Sequence, residues 1–239
     1  MTLTFDATRM HAQTRLSEPP QPYAVVWAGP PHLGAYKQVW PLLPHADQVR
    51  SLRYRHLEDH RAFVVAHGWL RLLTAASVGC GPLAGTDLDR HAKPFFRPGE
   101  TIDLSLSHTR TFVAVGVARA TRLGVDVEPS TTAPSATAAR FLGAWTRAEA
   151  VGKARRTGLS GDLTLADLLV AQDPADAGPW QTFSLRLPKS HFLAVTLMGN
   201  GWAPTEAHCW SAVPPEGAAA YAFVQRVPSG GGGYDLHSR

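Results

Sequence analysis

The chain has 239 residues, 44% of them hydrophobic and 18% charged, and carries a formal charge of +4. That length holds one large domain or two small ones, in a globular composition with no apolar run long enough to cross a bilayer. The mild positive charge suits an anionic cofactor, an acidic protein partner or nucleic acid; lacking a Lys/Arg block, an RNA-binding aromatic motif and a zinc finger, the chain favours the first two.

Residues 1–21 lack the apolar segment of a secretory signal and read as a polar leader. Cys80 and Cys209 form no CxxC or zinc spacing, and read as reduced thiols of a cytoplasmic protein. The eleven histidines are scattered, without HExxH spacing. YAVVWAG (23–29) predicts a strand. Residues 58–79 have helical periodicity: Phe63, Val64, Ala66, Leu70, Leu73 and Ala76 share an apolar face. AKPFFRPGE (92–100) reads as a turn-rich connector. TIDLSLSH (101–108) alternates, with Ile102, Leu104 and Leu106 on one side, and TFVAVGVAR (111–119) completes a hairpin across a short link. LGVDVE (123–128) predicts the next strand, and 129–138 a loop. Residues 139–156 predict a helix, followed by four strand candidates at 165–172, 180–187, 191–198 and 206–213. A glycine-rich tail, 229–239, ends the chain.

Two stretches repeat. Ser105–Leu106 followed by Phe112 to Val115 returns as Ser184–Leu185 followed by Phe192 to Val195; Trp69 and Arg71 match Trp145 and Arg147. The shared order, helix then paired strands, predicts an α+β fold of two similar halves related by pseudo-twofold symmetry, 22–122 and 123–228, with a cleft between them.

The chemistry-bearing residues fall in three pieces. SLSHT places Ser107 and His108 at a strand end. GVDVE places Asp126 and Glu128 on one strand face, since side chains two apart point the same way. WTRAEAVGK places Glu149 and Lys153 one helical turn apart. Each alone has an ordinary structural reading: a solvated strand face, or a surface ion pair. Together they offer carboxylates from more than one element, as a hard divalent cation beside a phosphate requires.

In this order SLSHT, GVDVE and WTRAEAVGKARRTGL resemble the three signature motifs of the Sfp-type 4′-phosphopantetheinyl transferases, and AKP (92–94) resembles that family's GKP segment. The resemblance runs from about Arg50 to Leu197. It implies two α+β halves with the active site between them, and transfer of the phosphopantetheine arm of coenzyme A to a serine of an acyl or peptidyl carrier protein, releasing 3′,5′-ADP. Such carriers serve fatty acid, polyketide and nonribosomal peptide synthesis. It also implies that Asp126, Glu149 and Glu128 hold Mg²⁺, that Glu149 takes the serine proton, and that Lys153 neutralises the pyrophosphate. Ser107 and His108 would meet a coenzyme A phosphate, Lys93 the nucleotide end, and Arg50, Arg53 and Arg61 the 3′-phosphate. A monomer is expected, with no nucleic acid or membrane partner. The chain departs from the family at Ala148, where most relatives carry Lys, and at 129–144, where relatives carry a longer insert bordering the carrier-docking region. Three other readings stay open: a transferase-like coenzyme A or partner binder without activity, a protein-interaction module, and a metal-dependent phosphoesterase on coenzyme A.

Overall fold

The computed structural model describes residues 22–78, 86–88, 94–96, 102–129, 135–157, 179–187, 191–205, 215 and 218–225. Strand β1 (Tyr23–Gly29) leads into α1 (Leu33–Val39), a 3-10 turn (Trp40–Leu42), α2 (His45–Ser51) and the long α3 (Leu57–Val78). Then come β2 (Thr86–Leu88), β3 (Pro94–Phe96), β4 (Ile102–His108), β5 (Val113–Arg119), β6 (Leu123–Pro129) and α4 (Ala136–Arg155). Strands β7 (Trp180–Leu187), β8 (His191–Met198), β9 (Trp202–Thr205) and β10 (Ala219–Gln225) follow. Mixed helix and antiparallel sheet make the fold α+β, as expected. Among the described residues there is a seven-stranded sheet, ordered β2-β3-β4-β5-β1-β10-β9, and a three-stranded sheet, ordered β6-β8-β7.

The period of two in β1 and β5 explains how the sheets stack. Val25, Trp27, Val113, Val115 and Val117 point one way, into a core with Phe63, Trp69 and Leu73 of α3. Ala24, Val26, Ala28, Ala114 and Ala118 point the other way, against Val125, Val127, Leu193, Val195 and Leu197 of the small sheet. The face towards the small sheet is mostly alanine, so the sheets can approach closely. The small sheet's outer face carries α4. The result is four layers: α3, large sheet, small sheet, α4. Fully burying one of these aliphatic side chains contributes about 1.5–3 kcal/mol.

The order strand, helix, hairpin occurs twice, as β1-α3-β4-β5 and as β6-α4-β7-β8. In each, the second hairpin strand pairs antiparallel with the first strand: β5 with β1, and β8 with β6. Strand β10 does not follow that pattern, since it pairs with β1 inside the large sheet.

Several expectations change. Within the connector expected at 92–100, residues 94–96 form β3, which pairs with β2 and β4. The loop expected at 129–138 loses its ends: Pro129 belongs to β6, and α4 begins at Ala136. Ser135 caps α4 by accepting from the Ala138 N–H (3.2 Å). The strand candidates at 180–187 and 191–198 form as β7 and β8. Those at 165–172 and 206–213, the leader at 1–21 and the tail at 229–239 lie outside the described residues. Among the described residues no helix is long and apolar enough to cross a membrane.

Candidate active site

The site forms where the free edge of β6 meets β4 and α4. Strand β6 is an edge strand, so its outward N–H groups need partners from elsewhere. Strand β4 supplies them with its polar face. Asp103 Oδ2 accepts from the Leu123 N–H (2.8 Å) and Ser105 Oγ from the Val125 N–H (3.0 Å). Two residues on, Ser107 Oγ donates to Asp126 Oδ1 (2.8 Å). Asp103 also accepts from the Arg156 guanidinium (2.8 Å), which ties the end of α4 to the same strand. Asp103, Ser105 and Asp126 are buried. The alternation in IDLSLSH therefore separates two jobs: Ile102 and Leu104 fill the α3 core, while Asp103, Ser105 and Ser107 line the β6 edge.

Helix α4 is drawn against β6 by Gly124, which shares a strand face with Asp126 and Glu128. A side chain at Gly124 would collide with the Ala150 carbonyl oxygen and lie 2.7 Å from the Ala154 nitrogen. That close approach places Glu149 and Lys153 beside the two acids of β6. Lys153 Nζ donates to Asp126 Oδ1 (2.7 Å) and to the Val125 carbonyl (3.2 Å). The i,i+4 geometry of Glu149 and Lys153 is present, but the ammonium is hydrogen-bonded to Asp126.

The electrostatics are those of a surplus of acid. Burial raises the Glu128 carboxyl above its ordinary value, and the Asp126 charge raises it further, against the pull of Lys153; Glu149 adds a smaller push. Burial also raises Glu149, with Lys153 opposing and Asp126 reinforcing. Asp126 Oδ2 is buried and has no hydrogen-bond partner. Among the described residues no three His, Cys, Asp or Glu side chains converge closely enough to ligate a metal as they stand. The donor set nevertheless fits a hard divalent cation: three carboxylates, only one ammonium among them, and an orphaned buried carboxylate oxygen.

His108 ends β4 on the same side. Burial lowers its pKa, with Lys153 next in effect, Asp59 opposing and Arg50 adding to the depression. Asp59 is gripped by Arg110 through two hydrogen bonds (2.9 and 3.2 Å). Arg50 places its guanidinium 5.3 Å over the Phe63 ring. Arg53 is exposed just beyond α2 and Arg61 is half-buried on α3; no ion pair ties either to this cluster among the described residues. Lys93 lies outside the described residues. Ala148 is 2% exposed and packs with Phe141, Ala144 and Trp145, so the position where the family resemblance leads to a Lys here belongs to a small apolar cluster.

Thus Ser107, Asp126, Glu128, Glu149 and Lys153 are brought together, with His108 and Arg50 close by. Sequence reasoning missed Asp103, Ser105 and Gly124, although the alternation of β4 and the glycine two residues before Asp126 were available signals.

No protein-family model matches the chain. It is 30% identical over 220 residues to the L-aminoadipate-semialdehyde dehydrogenase-phosphopantetheinyl transferase of Eremothecium gossypii, an alignment covering 73% of this chain and 77% of the relative. With the three motifs in their order along the chain and a likeness spanning most of both proteins, the chain belongs to the phosphopantetheinyl transferase family.

Proposed function

We propose that this protein is an Sfp-type enzyme that transfers the 4′-phosphopantetheine arm of coenzyme A to a serine of an acyl or peptidyl carrier protein. The observation that carries the reading is the meeting of Asp126, Glu128, Glu149 and Lys153 across β6 and α4, with a buried carboxylate oxygen left unpartnered. In the reaction the serine Oγ attacks the phosphorus bearing the pantetheine arm. A new P–O bond forms and the pyrophosphate P–O bond breaks. The electron pair leaves on 3′,5′-ADP, and the serine proton passes to Glu149. A half-buried carboxylate with a raised pKa is a competent acceptor for that proton. Lys153 supplies positive charge towards the anionic diester, and Ser107 holds Asp126 in place.

Asp126, Glu149 and Glu128 would hold Mg²⁺. When bound, the ion supplies Lewis-acid neutralisation of pyrophosphate charge. Lys93 is assigned to the nucleotide end, Arg50, Arg53 and Arg61 to the 3′-phosphate, and His108 to a coenzyme A phosphate. The matching order of β1-α3-β4-β5 and β6-α4-β7-β8 supports a duplication with a pseudo-twofold relation between halves at 22–122 and 123–228. A monomer in the cytoplasm, acting in polyketide or nonribosomal peptide synthesis, is the setting we assign.

The test is intact-mass spectrometry of an apo carrier protein mixed with this protein, coenzyme A and Mg²⁺, with an EDTA control. A gain of roughly 340 Da on the carrier serine, lost with EDTA, is expected for covalent transfer. No gain across acyl and peptidyl carriers would overturn the proposal. Release of phosphopantetheine to water instead would favour a phosphoesterase.

A further inference from the structure

Beside the acidic site, Arg50 and His108 stand in a cluster with Phe63, Tyr54 and His67, three side chains to which the reaction above gives no role. Its hub is Phe63 of α3, buried at 1% exposure. His67, one helical turn on, stacks on Phe63 with ring centroids 4.1 Å apart and planes at 30°. Arg50 of α2 covers the same ring at 5.3 Å. Tyr54, in the link between α2 and α3, lies 5.4 Å from it. His108 of β4 meets Phe63 edge-on at 6.4 Å and Tyr54 at 6.5 Å. Side chains from two helices, a link and a strand are thus gathered around one rigid ring.

The charge around Arg50 and His67 is one-sided. Arg71 has Asp47 as its partner (3.5 Å), Arg110 has Asp59, and Lys153 has Asp126. Arg50 and His67 have no carboxylate partner among the described residues. The charged groups that His67 faces, His108, Arg50 and Arg71, are all basic. Burial first, then these neighbours, lowers its pKa to about 3, so it is neutral in the free chain at physiological pH. The residue as a whole is half-buried. Arg50 and His67 stand at low dielectric among basic neighbours, with the nearby Asp59 already held by Arg110, and are completed by an anion from outside.

Resting on the transferase reading, we propose that His67 is a further binding residue for the 3′-phosphate of coenzyme A, presented beside Arg50 and His108 by the Phe63 ring. A phosphate monoester dianion supplies the missing negative charge, and the imidazole donates a hydrogen bond to it. Phe63 is a positioning residue: it sets where Arg50 and His67 stand and touches no phosphate itself.

The experiment is calorimetric titration of coenzyme A and of dephospho-coenzyme A, which lacks only the 3′-phosphate, into the wild-type chain, His67→Phe and His67→Gln. Wild type is expected to prefer coenzyme A. His67→Phe should weaken coenzyme A by about 10- to 150-fold, the value of one hydrogen bond to a charged group, and leave dephospho-coenzyme A unchanged. His67→Gln, which keeps a donor, should fall between, and it decides the matter if the Phe variant does not fold. A preference ratio unchanged in the folded variants overturns the proposal. Wild type binding both nucleotides equally also overturns it. Wild type binding neither would overturn the transferase reading itself.

Discussion

Replacing Gly124 with Ala tests the reasoning that a single missing side chain assembles the site. The new methyl would overlap the Ala150 carbonyl oxygen and stand 2.7 Å from the Ala154 nitrogen and 2.9 Å from the Ala150 carbonyl carbon. All three atoms are helix backbone, so no rotamer change relieves the overlap. Ordinary contact lies near 3.5–4.0 Å, so relieving the overlap with the Ala150 carbonyl oxygen moves α4 back by about 1.5–2 Å. Overpacking costs about 1–3 kcal/mol, and a backbone obstacle puts this case at the upper end. The same shift carries Glu149 and Lys153 away from Asp126, and a displacement of about 1 Å at a reacting centre costs on the order of 10²-fold in rate. Gly143→Ala on the same helix is the control. Its methyl would find its nearest neighbours at 3.9 Å (Arg147 Nη1) and 4.0 Å (Phe192 Cε1), so it should stabilise by about 0.5–1 kcal/mol through helix propensity alone. Urea midpoints at constant slope, with carrier mass gain per minute, read both effects. A Gly124→Ala protein with wild-type midpoint and wild-type rate would refute the account of how the site is built.

Asp126→Ala and Glu149→Gln should each abolish carrier modification while the protein still unfolds cooperatively; near-normal rates in both would remove these residues from the chemistry. Asp103→Ala leaves the buried Leu123 N–H and the Arg156 guanidinium without this partner, and should cost about 2–4 kcal/mol by urea titration, against a surface substitution's few tenths. Glu128→Gln should stabilise the metal-free protein at pH 7. Its folded pKa is raised, so the folded state binds more protons and loses stability as pH climbs from the unfolded value through the folded one. Because solvent reaches this half-buried group, a gain of a few tenths to about 1 kcal/mol is expected in EDTA, and a loss would contradict the charge surplus. His67 has the opposite sign. Its folded pKa of about 3 lies below the unfolded 6.5, so the stability it contributes is present above pH 6.5 and drains away as pH falls towards 3. From pH 7 to 5 the wild type should therefore lose up to about 2 kcal/mol more than His67→Gln does; parallel curves would show that His67 titrates normally.

What the sequence by itself determined is the direction in which each side chain leaves its own element. A period of two put Asp126 and Glu128 on one face of 123–128, and a period of 3.6 put Glu149 and Lys153 on one face of the following helix. Both hold because they depend only on local backbone geometry. The strand at 23–29 and the long helix near 58–79 were legible for the same reason. Helices α1 and α2, seven residues each, and strand β3, three residues, are too short to show a period. Tertiary structure alone decided what lies opposite each face. The polar side of IDLSLSH serves the edge of another sheet rather than water. Lys153 bonds Asp126, 27 residues away, rather than its helical neighbour Glu149. Strand β10 pairs with β1 near the far end of the chain. No local pattern encodes such partners, because they are selected by the packing of whole layers, and the close approach at Gly124 that brings the acids together exists only after those layers have met.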